Sequence, residues 1–378
     1  MKQKHSTPLH NWIQIVLFFC IICIPAILMF ALPPKATSER ERRNLAKPPY
    51  YGTDGFSSFK RRVQEYLQDH FGLRDEMILA NSYVDYAVFS RAERRSSGID
   101  LKGQVVIGKD GWFFSNVDHA MENYRGAITI TPEEMQRLVQ RFVERKAYFE
   151  SQGIAYYLII PPDKELIYPE YIPERYQVLQ ENHTLFDQLA VELQRNGILL
   201  WDMRPALIDA KATSTVYMKT DTHWSDWGGY VGYQQMIAAL NRQFPEIETV
   251  PHERFTQSII HISEGDMAVL LGLFGIIRED KEIWKLDQPC AQQQPYPWGG
   301  DDKSFYYRCE TGKHKVVIFA DSFIVAPRQG LTESFQETVI LRKWYDPTIA
   351  EQLVKDFQPT IVIDQIVGRK LWYLLERE

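Results

Sequence analysis

The chain has 378 residues, 45% hydrophobic, 24% charged and 13% aromatic, which suffices for one large folded domain or two small ones and excludes bulk disorder. A formal net charge of −6 excludes a generally basic surface of the kind nucleic acid requires. No period of 20–50 residues marks a repeat array.

Trp12 to Leu32 carries no charged residue and a single interior proline, Pro25. Its length matches the ~20 residues of a bilayer-crossing helix, in which proline is tolerated. Lys2 and Lys4 precede it and no small-x-small cleavage site follows, so the expectation is an uncleaved anchor over 12–32 behind a cytoplasmic tail, 1–11. Lys35, Arg40, Arg42, Arg43 and Lys47 lie just beyond it, against the usual charge bias. A long domain translocates regardless of such charges, so the chain after the anchor is expected outside the cytoplasm. There Cys290 and Cys309, an even pair, are expected to form a disulfide, with two separate buried thiols as the alternative.

Residues 33–53, rich in proline and charge, read as a linker, and 54–378 as the folded domain. Its lead-in, 54–130, opens with apolar positions Phe56, Phe59, Val63, Tyr66, Leu67, Leu73, Met77 and Ile78 at helical spacing, interrupted near Phe71-Gly72. Val105–Ile107 and Trp112–Phe114 flank a glycine-bearing turn and predict a β-hairpin.

Thr131-Pro132-Glu133-Glu134 is a capping box that predicts a helix to about Ser151, stopped at Gly153. Apolar strands are expected at 155–160, 198–201, 316–319, 338–341 and 360–363. Helices are expected at 184–195, from Ser225 to about Arg242, at 347–356 and at the C-terminus to Leu375, while 245–314 shows no clear order. Short, continuously apolar strands alternating with helices imply an α/β domain, a doubly wound, mostly parallel five-stranded sheet covered on both faces. Ligands bind such sheets beyond the carboxyl ends of their strands, where Asp163, Asp202, Ser322 and Asp364 are expected.

Two stretches there carry chemistry. Thr220-Asp221-Thr222-His223-Trp224-Ser225 sets a carboxylate and an imidazole two positions apart on a loop before a helix start. Phe319-Ala320-Asp321-Ser322-Phe323 puts a serine after a buried strand, where the N–H groups of a following helix can face a developing oxyanion. Serine nucleophile, histidine base and orienting aspartate make up the logic of acyl transfer. A metal reading, Asp221 and His223 with His252 or His261, lacks a tight ligand cluster, and no metal or cofactor is expected. Gly265 is a further oxyanion candidate, and Trp224, Lys164 and Arg328 are candidates for substrate contact.

These residues and several others, in order, resemble the SGNH-hydrolase-like domain of the AlgJ/AlgX type, the alginate O-acetyltransferase family. The resemblance rests on Asp221-Thr222-His223-Trp224 ahead of Ala320-Asp321-Ser322-Phe323, where the family has Gly-Asp-Ser. Arg43-Asn44-Leu45-Ala46-Lys47-Pro48, residues 66–75, residues 106–114, Ile160-Pro161-Pro162-Asp163-Lys164 with Ile167–Glu170, and Gly265-Asp266-Met267 extend it. It implies Ser322 as nucleophile, His223 as general base and Asp221 as its orienter. It further implies transfer of acetyl groups onto an exported polysaccharide, delivery of acetyl by a membrane-bound O-acyltransferase partner, and a single-pass bacterial inner-membrane protein with its domain in the periplasm. An acetyl-esterase with the same three residues and a non-catalytic export scaffold are the competing readings.

Overall fold

The computed structural model describes residues 8–38, 43–93, 100–101, 103–298 and 303–376. The chain divides into two compact units, one of residues 1–90 with 269–276 and one of 91–268 with 277–378.

In the first unit α1, Pro8–Ala31, contains the apolar span Trp12–Ala31, long and apolar enough to cross a membrane. Helices α2, Gly55–His70, and α3, Arg74–Glu93, are separated at the break read at Phe71-Gly72, where Leu73 takes a left-handed φ of 60°. Gly72 lies so close to the Pro25 carbonyl of α1 that a Cβ would come within 2.3 Å of it.

The second unit opens with the predicted hairpin, β1 Val105–Ile107 against β2 Phe113–Ser115, all six residues buried. Next come α4 Pro132–Ser151, started by the Thr131/Glu134 capping box, strand β3 Ala155–Ile159, α5 Leu185–Arg195, and α6 Asp226–Leu240 with Ser225 as its cap. A two-stranded ribbon, β4 Phe255–Ile262 with β5 Glu279–Leu286, follows. The chain ends through β6 Gln292–Gln294, β7 Ser304–Arg308, β8 Lys313–Ala320, α7 Arg328–Ser334, β9 Phe335–Leu341, α8 Pro347–Asp356, β10 Ile361–Gln365 and α9 Leu371–Glu376. Cys290 and Cys309 are joined by a disulfide.

The central sheet has six strands in the order β3-β10-β8-β9-β7-β6, the first four parallel and the last two antiparallel. This corrects the five strands expected. Among the described residues Ile198–Trp201 forms no strand, and the Ile198 N–H bonds back to the Leu193 carbonyl; it and β3 both line a cavity of about 450 Å³, and no ladder joins them. The strands not expected, β6 and β7, lie at the opposite edge of the sheet from β3, are polar and aromatic (Gln-Gln-Gln, Ser-Phe-Tyr-Tyr-Arg) and carry no apolar run.

Alternation along β8 divides the core. Val316, Ile318 and Ala320 face a layer containing Tyr233, Met236 and Leu331 of α6 and α7, while Val317 and Phe319 face Phe142, Leu189 and Leu353 of α4, α5 and α8. Both faces are covered, as a mostly parallel sheet requires.

Candidate active site

Strand β8 runs buried to Ala320 and delivers Ser322 just past its carboxyl end. The segment from Ser322 to Ile324 is a single 3-10 turn, not the α-helix expected there. The carboxylate of Asp321 holds that turn. Its Oδ1 accepts from the Phe323 N–H at 2.9 Å and from Gln365 Nε2 at 2.8 Å, and its Oδ2 from the Val367 N–H at 2.7 Å. The ends of β8 and β10 are thereby tied together beneath Ser322.

Residues 218–223 form a loop closed by a bridge between Tyr217 and Trp224, with the Met218 N–H donating to the His223 carbonyl. It precedes α6, whose first N–H groups are capped by Ser225 Oγ through Gly228. A Cβ on Gly228 would stand 1.8 Å from the Val216 carbonyl, so only glycine lets α6 approach this segment.

The loop and the turn meet. His223 Nε2 lies 2.7 Å from Ser322 Oγ, and His223 Nδ1 lies 2.6 Å from Asp221 Oδ1. A carboxylate only accepts, so Nδ1 carries the proton and Nε2 is left to accept from the serine hydroxyl. Asp221 also takes the His223 backbone N–H on Oδ1 and the Asp266 N–H on Oδ2, both at 2.9 Å. Burial opposes its charge, but these bonds and the facing imidazole hold its carboxyl well below the usual carboxylate range. The ring of Phe323 sits 5.3 Å from that of His223.

A second carboxylate, Asp266, stands 3.6 Å from His223 Nδ1 and is fixed by the Thr222 N–H at 2.7 Å and the Thr222 hydroxyl at 2.5 Å. Burial, then the neighbouring Asp221 charge, push its carboxyl up. Among the described residues, Asp221, His223 and Asp266 are the group whose ligand atoms lie close enough to share a cation. His261 instead pairs with Asp280 on the exposed ribbon and His252 with Glu253.

Other sequence candidates are placed differently. Trp224 is 3% exposed, with Nε1 donating to the Tyr217 hydroxyl; it is a wall of the core, not a sugar platform. Lys164 is 2% exposed and all three ammonium donors are spent on backbone carbonyls, so it reaches no substrate. Arg328 stacks over Phe305 at 5.3 Å. Gly265 lies so close to Thr220 that a Cβ would come within 2.4 Å of its carbonyl, so its contribution here is close approach. Asp364 is buried within β10 against Arg145 and Tyr156, and Asp163 is buried against Arg369, so neither faces a ligand. Asp202 pairs with Arg204. No role for Asp321 or Asp266 follows from the sequence alone; Ala320-Asp321-Ser322 and Gly265-Asp266-Met267, both part of the resemblance, are the signal that could point to them.

A family model described as SGNH hydrolase-like domain, acetyltransferase AlgX, matches residues 105–340, a span holding Asp221, His223 and Ser322. A protein of Pseudomonas syringae pv. tomato named "Probable alginate O-acetylase AlgJ" is 31% identical over 170 residues, 45% of this chain and 41% of the relative. A protein of the same name from Pseudomonas aeruginosa is 29% identical over 155 residues, 41% of this chain and 37% of the relative. The chain thus spans about two fifths of the length of the curated relatives it matches. Among solved structures, Bacillus cereus PatB1 superposes with a TM-score of 0.52 at 15% identity over 73% of this chain and 97% of that one, a likeness of fold.

Proposed function

The chain belongs to the AlgX-type family of SGNH hydrolase-like acetyltransferase domains, and from that premise we propose that it is an O-acetyltransferase acting on an exported, alginate-like polysaccharide through an acetyl-Ser322 intermediate. The observation that carries this reading is the unbroken contact from Asp221 through His223 to the Ser322 hydroxyl, at 2.6 and 2.7 Å.

In the first half-reaction Ser322 Oγ attacks the acetyl carbonyl carbon of the donor while its proton passes to His223 Nε2. The tetrahedral adduct collapses, the bond to the donor breaks, and the leaving group takes that proton from the imidazolium. In the second, a sugar hydroxyl attacks the acetyl-serine ester and gives its proton to His223 Nε2. The serine oxygen departs and recovers it. Asp221 keeps the imidazole in the required tautomer and balances its charge while it is protonated. Asp266 adds a second carboxylate near the same proton.

In the same reading α1 is a single-pass anchor, the domain lies in the periplasm, and acetyl arrives by way of a membrane-bound O-acyltransferase partner. The apolar span of α1 and the oxidised Cys290–Cys309 pair support that placement.

The test is intact-mass detection of an acetyl adduct on the full chain after incubation with a chromogenic acetyl ester, followed by addition of an oligosaccharide or water. Wild type is expected to gain one acetyl group and pass it to the sugar faster than to water. Ser322→Ala is expected to gain none and to lose at least about a thousandfold in turnover. Release to water alone makes the protein an esterase. Unimpaired polymer acetylation in cells carrying Ser322→Ala makes it a scaffold.

A further inference from the structure

The loop that carries Asp221 and His223 is folded on ions. Its carbonyls at Met218, Lys219 and Asp221 turn inward to one point, the ammonium of Lys164, at 3.0, 3.2 and 2.8 Å. Its N–H groups point the other way, onto carboxylates. Those of Lys219 and Thr220 go to Glu279 at 2.5 and 2.9 Å, that of Thr222 to Asp266 and that of His223 to Asp221. Three carbonyl dipoles aimed at a common centre repel one another, and the arrangement needs a cation with three donors between them. A buried lysine is the one side chain of that description. It comes from the turn Lys164–Ile167 just after β3, and passes within 5.8 Å of the Trp112 ring and 5.5 Å of the Phe114 ring from the hairpin.

We propose that Lys164 is a positioning residue for acyl transfer: its ammonium gathers the carbonyls of residues 218–221 so that the Asp221–His223 pair is presented to Ser322. The proposal rests on the acyl-transfer reading above. Lys164 touches none of the reacting atoms and acts through the backbone of the residues that do.

Charge makes the role visible. The groups facing the ammonium are Glu165 on its own turn, Asp221 in the loop, Asp266 on the short helix Asp266–Leu270 and Glu279 on β5. Burial outweighs them and pulls the lysine down to about 8. On losing a proton the amine keeps two donors for three carbonyls and turns a lone pair toward the third. Turnover should therefore fall as pH rises through about 8. Stability should not follow. A lysine titrating lower in the folded chain than in the unfolded one leaves the unfolded chain holding more protons between the two values, so its contribution to stability rises there.

The experiment compares wild type, Lys164→Met, and Lys164→Cys alkylated with bromoethylamine while unfolded and then refolded, each full length with Cys20 and Cys23 changed to serine. Three signals are followed from pH 6 to 10: the low-field proton resonance of the His223 Nδ1–H bonded to Asp221, the rate of acetyl-Ser322 formation, and the melting temperature. The resonance needs no substrate. In wild type, resonance and rate are expected to fade together above pH ~8 while melting holds. Lys164→Met should lose the resonance and about 100-fold in turnover, with KM changed less than about threefold. Aminoethylcysteine, whose ammonium is more acidic than lysine's, should restore both and move the alkaline fade to lower pH. A methionine variant with intact resonance and near-wild-type turnover overturns the proposal. If that variant does not fold, a wild-type resonance unchanged to pH 10 overturns it equally. A resonance that follows Lys164 in a protein that never acquires acetyl at Ser322 leaves the loop assignment standing and refutes acyl transfer instead.

Discussion

Asp221 is held by three donors, the ring and backbone N–H of His223 and the N–H of Asp266, and each of its oxygens has an assigned acceptor role. An amide cannot fill both roles, because its NH2 faces a donor whichever way it is turned. Asp221→Asn should therefore either misplace the loop or force the other histidine tautomer. The expected outcome is a fall in turnover of about 10³- to 10⁴-fold together with a lowered melting temperature, read by steady-state kinetics with an acetyl ester beside a thermal melt. Glu279 and Asp266 fix the same loop from its N–H side, so a charge lost at any of these positions reaches the imidazole through the backbone. This is also where the sequence was least legible. Asp221, His223 and Ser322 could be singled out because each follows or precedes an apolar element in a position where chemistry is placed. Lys164 and Trp224 could not be sorted into surface or core, since neither periodicity nor composition tells whether a polar atom at a strand end turns inward.

At the scale of elements, α6 is the support on which the Asp221–His223 loop rests. Gly228 lets its first turn press against Val216, and at Gly229 a Cβ would come within 2.3 Å of the Ala326 side chain, beyond Ser322. Gly228→Ala meets the Val216 backbone and must push the helix start away from residues 216–223. Destabilisation of about 1–3 kcal/mol is expected, with turnover falling further than the melt alone accounts for; denaturant titration and kinetics on the same sample measure both. Elements with a continuous apolar run or a capping box, β3, β8, β10 and α4, were legible in the sequence because burial on both faces, or a self-contained hydrogen-bond pattern, writes itself locally. Strands β6 and β7 were not. They lie on the antiparallel side of the sheet, are only partly buried, and owe their pairing to neighbours distant in sequence. Ile198–Trp201 shows the converse: it has the composition of a strand and no ladder.

For the molecule as a whole, the apolar helix and the folded remainder make distinct demands. A chain lacking residues 1–32 should leave the membrane fraction, remain soluble without detergent, and keep its turnover on a small acetyl ester within about twofold of the full chain. A chain lacking residues 1–90 should fare worse, as limited proteolysis and kinetics of the two side by side will register. The reason lies in how the backbone is threaded. Residues 269–276 are grouped with the N-terminal unit, where Gly272 lies against Ser82, although they belong to the middle of the chain. That excursion begins three residues after Asp266, whose N–H secures Asp221. The polypeptide leaves one unit after Ala268 and rejoins it at Ile277, so a chain cut at residue 90 strips residues 269–276 of the unit they fold with, a few links from the imidazole.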